Sequence, residues 1–558
     1  MTGGAAAGPP LIRHNDYSPL DLPGLGGWEP SLPVSVVIPA RGGQHRLDLV
    51  LAALAAQSYP DHLMEVIVVD DGSEPPLRLP EIAPADTRII AADPGRWGIA
   101  HAVNSGAARA DGLVLQRLDS DMVVCREHIE ALARWHHLSD HVVAIGAKKF
   151  IEEPPVTPAR VHEAVRGGSL GDVFDLAAAV PSSTEETIAR LDGLRTSRNP
   201  YHVCTGPTVS MRREVFHAVG GLDPAVPRGE DTEFAYRLAQ HGVVFVPDMA
   251  AQAVHLGLPA QRLDRDRAVR LVSPYLAHRI PLRRDLRKDR ERRWLVPYVE
   301  VVLHVDGVAE ERVRRAVGAV LSGSVGDVAV ALVAPWPEPD GERRPVPDGP
   351  DFELLLMREH FAHDDRVRTV TGVSATPAPV PFRYTGPVAV PPAPRTLEKM
   401  IAALQRDRLG MLTVDLGADG TAVLERTEAL GRALLLGAAD PDAVAASVRA
   451  THGAGRGERA EFWPPAQADP DGTGAPVKDP ARPPVTARER PLQGRDGARR
   501  PEADGRRPEP GGRDPEPGGR RPEPGGRRPE PGGRGPADPS LRKARALLSR
   551  LRTVIGQD

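Results

Sequence analysis

The sequence predicts an α/β protein with a mostly parallel sheet, a second and smaller α/β unit, and a tail without a core. Three observations carry that prediction. VSVVIPA (Val34–Ala40) and MEVIVVDDGS (Met64–Ser73) are short apolar runs rich in β-branched residues, as in strands covered on both faces. Between them RLDLVLAALAAQ (Arg46–Gln57) spaces its apolar residues as a helix does and stops at SYP, giving strand, helix, parallel strand. That order returns at WLVPYVEVVLHVDGVAEERVRRAVGAVLSGSVGDVAVALVAPWP (Trp294–Pro337), whereas residues 453–539 are mostly Pro, Gly, Arg, Glu and Asp.

At 558 residues the chain has room for two or three domains. A net charge of -4 sets up no field for a polyanion; basic residues are interspersed with acids and aromatics are only 4%, so nucleic acid is not an expected partner. Two cysteines, Cys125 and Cys204, exclude a disulfide framework and a Cys-rich zinc site, fit a reducing compartment, and read as packing residues. The N-terminus lacks a basic then apolar leader, and no apolar run reaches 18 residues, so a soluble cytoplasmic protein is expected. The expected divisions are an N-terminal arm (1–30), a first domain (31–290), a second α/β domain (291–452), a disordered linker (453–539) and a terminal helix (540–558). The linker repeats PEPGG four times, from Pro508, Pro515, Pro522 and Pro529. The helix is basic and amphipathic. Contact with a protein, a peripheral hold on the inner face of a membrane, and no role at all stay open for it.

Open parallel sheets bind ligands beyond the carboxyl ends of their strands. Asp70 and Asp71 stand at one such end, with the mere capping of a turn as the lesser alternative. Asp119 and Asp121 follow the apolar run of LVLQRLDSDMVV, and carboxylates there need a cation or donors nearby. CREHIEALARWHHL is a helix with His136 and His137 at a solvated end. EDTEFAYRLAQHG is a helix whose first turn holds Glu230 and Asp231, where acids also suit the dipole. VVFVPDMAAQAVHLG leads to His255, and GRWG (Gly95–Gly98) reads as a plain surface loop, with an Arg96 contact to phosphate as the lesser alternative. GADGTAVLERTEALGR (Gly417–Arg432) lines up with DSDMVVCREHIEALAR (Asp119–Arg134), suggesting a faint duplication. Between the two strand–helix–strand passes DDGS has become APWP, and in the later alignment DSD has become GAD, leaving Asp419 alone, so a duplicate here would have lost its site.

Over about residues 31–260 the chain resembles the family 2 glycosyltransferases, inverting enzymes of the GT-A (Rossmann-like) fold. VSVVIPA, QSYP, EVIVVDDGS, GIAHAVNSGAARADG, LDSDM, FHAVGGLD, GEDTEFAYRL and the histidine of AVHLG carry the resemblance. It implies a hexosyltransferase-type enzyme using a divalent cation, Mn²⁺ or Mg²⁺, and a nucleotide-sugar donor, UDP-sugar favoured. Asp121 would bind the metal with Asp119 and His255, and Asp119 would also lie against the donor's ribose or sugar. Pro39 and Ala40 would line the nucleotide pocket, and Asp71, or less favourably Asp70, would accept from the base. Asp231 would be the general base and Glu230 would orient the acceptor: a glycan, a lipid-linked sugar or a small molecule. DSDM lacks the acid many relatives place next, and no membrane helices follow, so a processive synthase is not expected. The insertion Glu152–Asn199 would shape the acceptor side. A retaining GT-A transferase and a non-catalytic scaffold are the alternatives.

Overall fold

A computed structural model describes residues 10–257, 265–289, 292–337 and 351–464. The PEPGG repeats and the terminal helix expected at 540–558 lie outside the described residues. The first sheet contains β1 (Val34–Ala40), β2 (Met64–Asp70), β3 (Thr87–Ala91), β4 (Val114–Leu118), β5 (Met122–Val124), β6 (Val142–Ile151), β7 (Val180–Pro181), β8 (Thr208–Arg212) and β9 (Val244–Leu256). Its order is β3-β2-β1-β4-β8-β6-β9-β5, with β7 beside β6.

The first four strands of that order run parallel, and every β1 residue is buried. Alternation explains why: Val36 and Ile38 pack under the helix Gln44–Leu54, whereas Val37, Ile67 and Val69 pack under the helix Ile99–Ala107. From β1 the chain winds outward through β2 and β3, then returns to place β4 on the other side. The order therefore reverses between β1 and β4, where such sheets open a ligand crevice.

The second sheet contains β10 (Val299–His304), β11 (Val328–Val333), β12 (Val367–Val370), β13 (Phe382–Thr385), β14 (Met411–Asp415), β15 (Thr421–Arg426) and β16 (Ala454–Gly457). Its order, β12-β11-β10-β13-β15-β14-β16, repeats β3-β2-β1-β4-β8-β6-β9 strand for strand, with the same parallel and antiparallel pairings. A duplication is therefore visible in the fold, but not in the register that EALAR and EALGR suggest. The counterpart of β4 is β13: Val299 pairs with Phe382 as Val34 pairs with Val114. Counted from there, Asp119 and Asp121 fall on Pro387 and Ala389, while Asp70 and Asp71 fall on Ala334 and Pro335. Asp419 is the remnant of neither pair. The second unit also runs past the expected boundary at 452, because β16 joins its sheet and Thr396 Oγ1 donates to the Phe462 carbonyl at 2.6 Å.

The two units meet at helix ends. Tyr236, on the helix Glu230–His241, donates to the Pro379 carbonyl at 2.5 Å. That helix ends at Gly242, which is pressed against Gly431 and Arg432 of the helix Thr427–Leu435. The Arg432 guanidinium is buried there and donates to the Gly242 carbonyl; burial pulls its pKa down to about 10. The N-terminal arm reaches both units. Asn15 bonds the backbone of Leu194 and Phe245, and the His14 amide donates to Thr451. His136 is not solvated: it is fully buried beside Ser210 Oγ, at 2.8 Å, and burial lowers its pKa to about 3. His137 is half-buried and accepts the amides of Ser31 and Leu32. Among the described residues no helix is long and apolar enough to cross a membrane.

Candidate active site

Pro39 and Ala40, the buried last residues of β1, stand at the rim of the crevice. Asp70 and Asp71 leave β2 beside them, and the Asp71 amide donates to the Ala40 carbonyl at 2.9 Å. The two carboxylates then part ways. Asp70 accepts the amides of Ser73 (2.8 Å) and Leu77 (3.0 Å), one on each oxygen. Burial would raise its pKa, but those donors and Gly72 outweigh it and hold the carboxyl below its ordinary value. Asp70 is engaged by its own turn. Asp71 takes the Gly98 amide on Oδ2 at 2.7 Å.

β4 delivers the second acid pair. Asp119 Oδ1 lies 3.2 Å from Arg117 Nε, and Arg117 Nη2 lies 3.5 Å from Glu230 Oε1. One buried guanidinium thus spans the two acid motifs. Gly206 comes so close to it that a Cβ there would lie 3.0 Å from Nη2. Lys148, itself buried near Asp231 and Asp119, donates to the Thr205 carbonyl and hydroxyl, both at 2.9 Å. Neither cation belongs to the expected set. Arg117 was signalled by its place inside an apolar strand two residues before Asp119. Lys148 carries no such mark.

Pairing of β5 with β9 sets Met122 opposite His255, which brings His255 Nε2 to 3.7 Å from Asp121 Oδ1. No side chain donates a hydrogen bond to Asp121 among the described residues, and burial raises its pKa, aided by Asp119 and opposed by His255. His255 Nδ1 is buried without a hydrogen-bond partner. A desolvated carboxylate facing an imidazole with spare capacity fits a divalent cation. The third expected ligand does not join them: Asp119 turns to Arg117, and no three acidic, His or Cys side chains are grouped as a metal site among the described residues.

Glu230 and Asp231 open their helix after Gly229, as expected. Burial raises the Glu230 pKa, reinforced by Asp231 and opposed by Arg117. Thr232 donates its amide (2.6 Å) and its hydroxyl (3.2 Å) to Asp231 Oδ1, leaving Oδ2 for another partner. Cys204 is buried and its thiol pKa is pushed up to about 12, so it is no nucleophile; burial likewise raises Cys125 to about 11.

The model of Glycosyl transferase family 2 matches residues 35–220. A chondroitin synthase of Escherichia coli is 24% identical over 360 residues, covering 61% of this chain and 50% of that protein. A hyaluronan synthase of Pasteurella multocida is 24% identical over 365 residues, covering 61% and 35%. The chain therefore spans half or less of these relatives' length. A mannosyltransferase from Pyrobaculum calidifontis, solved with GDP-Man and Mn²⁺, aligns at TM-score 0.32 and 18% identity over 47% of this chain and 68% of that one. Residues 35–220 belong to the family 2 glycosyltransferases.

Proposed function

We propose that the chain moves one sugar from a nucleotide-diphosphate donor, a UDP-sugar by preference, to a hydroxyl of a carbohydrate or lipid-linked acceptor, with inversion. One observation carries this reading: Arg117 ties Asp119 at the end of β4 to Glu230 beside Asp231, at the point where the sheet order reverses. Cytoplasmic placement, or a hold on the inner face of a membrane, belongs to the same proposal.

Asp71, Pro39 and Ala40 seat the nucleoside, and Asp119 faces the donor's ribose or sugar. Asp121 and His255 would hold Mn²⁺ or Mg²⁺, which as a Lewis acid steadies the charge gathering on the leaving diphosphate. Asp231, with Oδ2 unengaged, takes the proton of the acceptor hydroxyl. That oxygen forms the new bond to the anomeric carbon as the bond to phosphate breaks on the opposite face. Glu230, pinned by Arg117, orients the acceptor.

Calorimetric titration of UDP, GDP and dTDP, each with and without Mn²⁺, tests the donor site. Metal-dependent binding of one nucleotide, weakened at least about a hundredfold in Asp121→Asn, is the expected result. No binding of any would leave the non-catalytic scaffold as the better reading. Proton NMR of the product decides stereochemistry, since an α-linked product from an α-donor would mean retention.

A further inference from the structure

The loop after β3 carries an aromatic side chain to which the reaction above gives no task. Trp97 is 76% exposed, more than any other large apolar side chain among the described residues. Exposure on a slack loop would be unremarkable, but this loop is fastened on both sides of the indole. Before it, the Asp93 amide donates to Ser105 Oγ at 3.0 Å and the Asp93 carboxylate takes both terminal nitrogens of Arg109, at 3.2 and 2.5 Å. After it, the Gly98 amide is held by Asp71 Oδ2. Gly95 and Gly98 have φ of 102° and 103°, which a side chain would oppose. The indole is thus presented one residue from the donor to the Asp71 carboxylate. Arg41, which directly follows the last residue of β1, brings its guanidinium carbon to 5.8 Å from the ring centre.

Position decides what this surface faces. β2 and β3 lie on one side of β1; β4, and with it Arg117, lies on the other. Trp97 is therefore at the nucleotide end of the crevice, away from the side where Glu230 and Asp231 await the acceptor. A planar base whose edge meets Asp71 would have the indole beside its face, and every base offers a π-face for stacking.

We propose that Trp97, backed by Arg41, is a stacking wall for the nucleobase of a nucleoside diphosphate. This rests on the nucleotide-sugar reading above and adds a contact to it. The loop backbone that carries the indole is fastened before the ligand arrives, so little backbone ordering cost falls on binding.

The test uses the full chain with Mn²⁺, titrated calorimetrically with the nucleoside diphosphate that it binds and, separately, with inorganic pyrophosphate. In Trp97→Ala the nucleotide should bind about tenfold more weakly while pyrophosphate is unchanged, and Trp97→Phe should recover most of the loss. An unchanged nucleotide affinity in Trp97→Ala overturns the wall and leaves the donor site standing. So does equal weakening of both probes, which would place Trp97 at the phosphates. A loss of oligosaccharide acceptor binding with nucleotide affinity intact would assign the indole to a sugar instead, also overturning it. If the unaltered chain binds no nucleotide, the donor reading falls and the wall falls with it.

Discussion

Arg117 is a charge in the middle of an apolar strand, and the two acid motifs lean on it. Removing it as Arg117→Met would leave Asp119 and Glu230 in a poorly solvated place without their partner. We expect a loss of about 3–5 kcal/mol in urea unfolding, with Arg117→Lys recovering only part because an ammonium cannot span both carboxylates as the guanidinium fork does. Asp121 pulls the other way. The folded chain holds its carboxyl above the ordinary value, so it binds that proton more tightly than the unfolded chain does. The stability this lends is present at low pH and lost as pH rises through the folded pKa. Without metal, Asp121→Asn should therefore have a higher thermal midpoint than the unaltered chain at neutral pH; a lower midpoint would mean that Asp121 is already compensated. The same raised pKa means that metal affinity should start to fall, as pH is lowered, sooner than at an ordinary carboxylate. That acids stand at the ends of β2 and β4 and at the start of the Glu230 helix was legible from residue types and their place at strand and helix ends. The resemblance ranked Asp71 above Asp70, but the turn that occupies Asp70 was not legible, because it depends on which amides Ser73 and Leu77 aim inward.

At the scale of elements, β1, β2 and the Glu230 helix were legible because each has enough length for its period to show. β13 was not. FRYT is four residues between prolines, and so short a run has neither alternation nor apolar excess to mark it. The eye is drawn instead to EALAR and EALGR, which match because both are helices with small and apolar residues at the same spacing. The helix that carries Asp231 is secured at its far end, where Gly431 leaves no room: a Cβ there would come within 2.6 Å of the His241 backbone. Gly431→Val should cost about 2–3 kcal/mol by overpacking. Because it shifts the helix rather than the crevice floor, turnover should fall while the donor's dissociation constant holds. A weakened donor with normal turnover would contradict this.

At the scale of the whole molecule, two sheets of one topology bear unequal chemistry. Pro387, Ala389, Ala334 and Pro335 occupy the places of the four acids, so one metal-dependent nucleotide site per chain is expected. Calorimetric stoichiometry near one, unchanged by Asp419→Asn, would agree; two equivalents would require a second donor site. The unit that lacks these four acids meets the first through Tyr236, Gly242 and Arg432. The hydrogen bond from His14 to Thr451 has a further consequence, for the order in which the protein is made. Residue 14 leaves the ribosome well before residue 451, whose carbonyl it needs. At ~5–20 residues per second the arm waits some tens of seconds for that partner. Until Arg432 and Thr451 have been made, Asn15 can fasten the arm only to the first unit, so this end of the seam between the two units closes late.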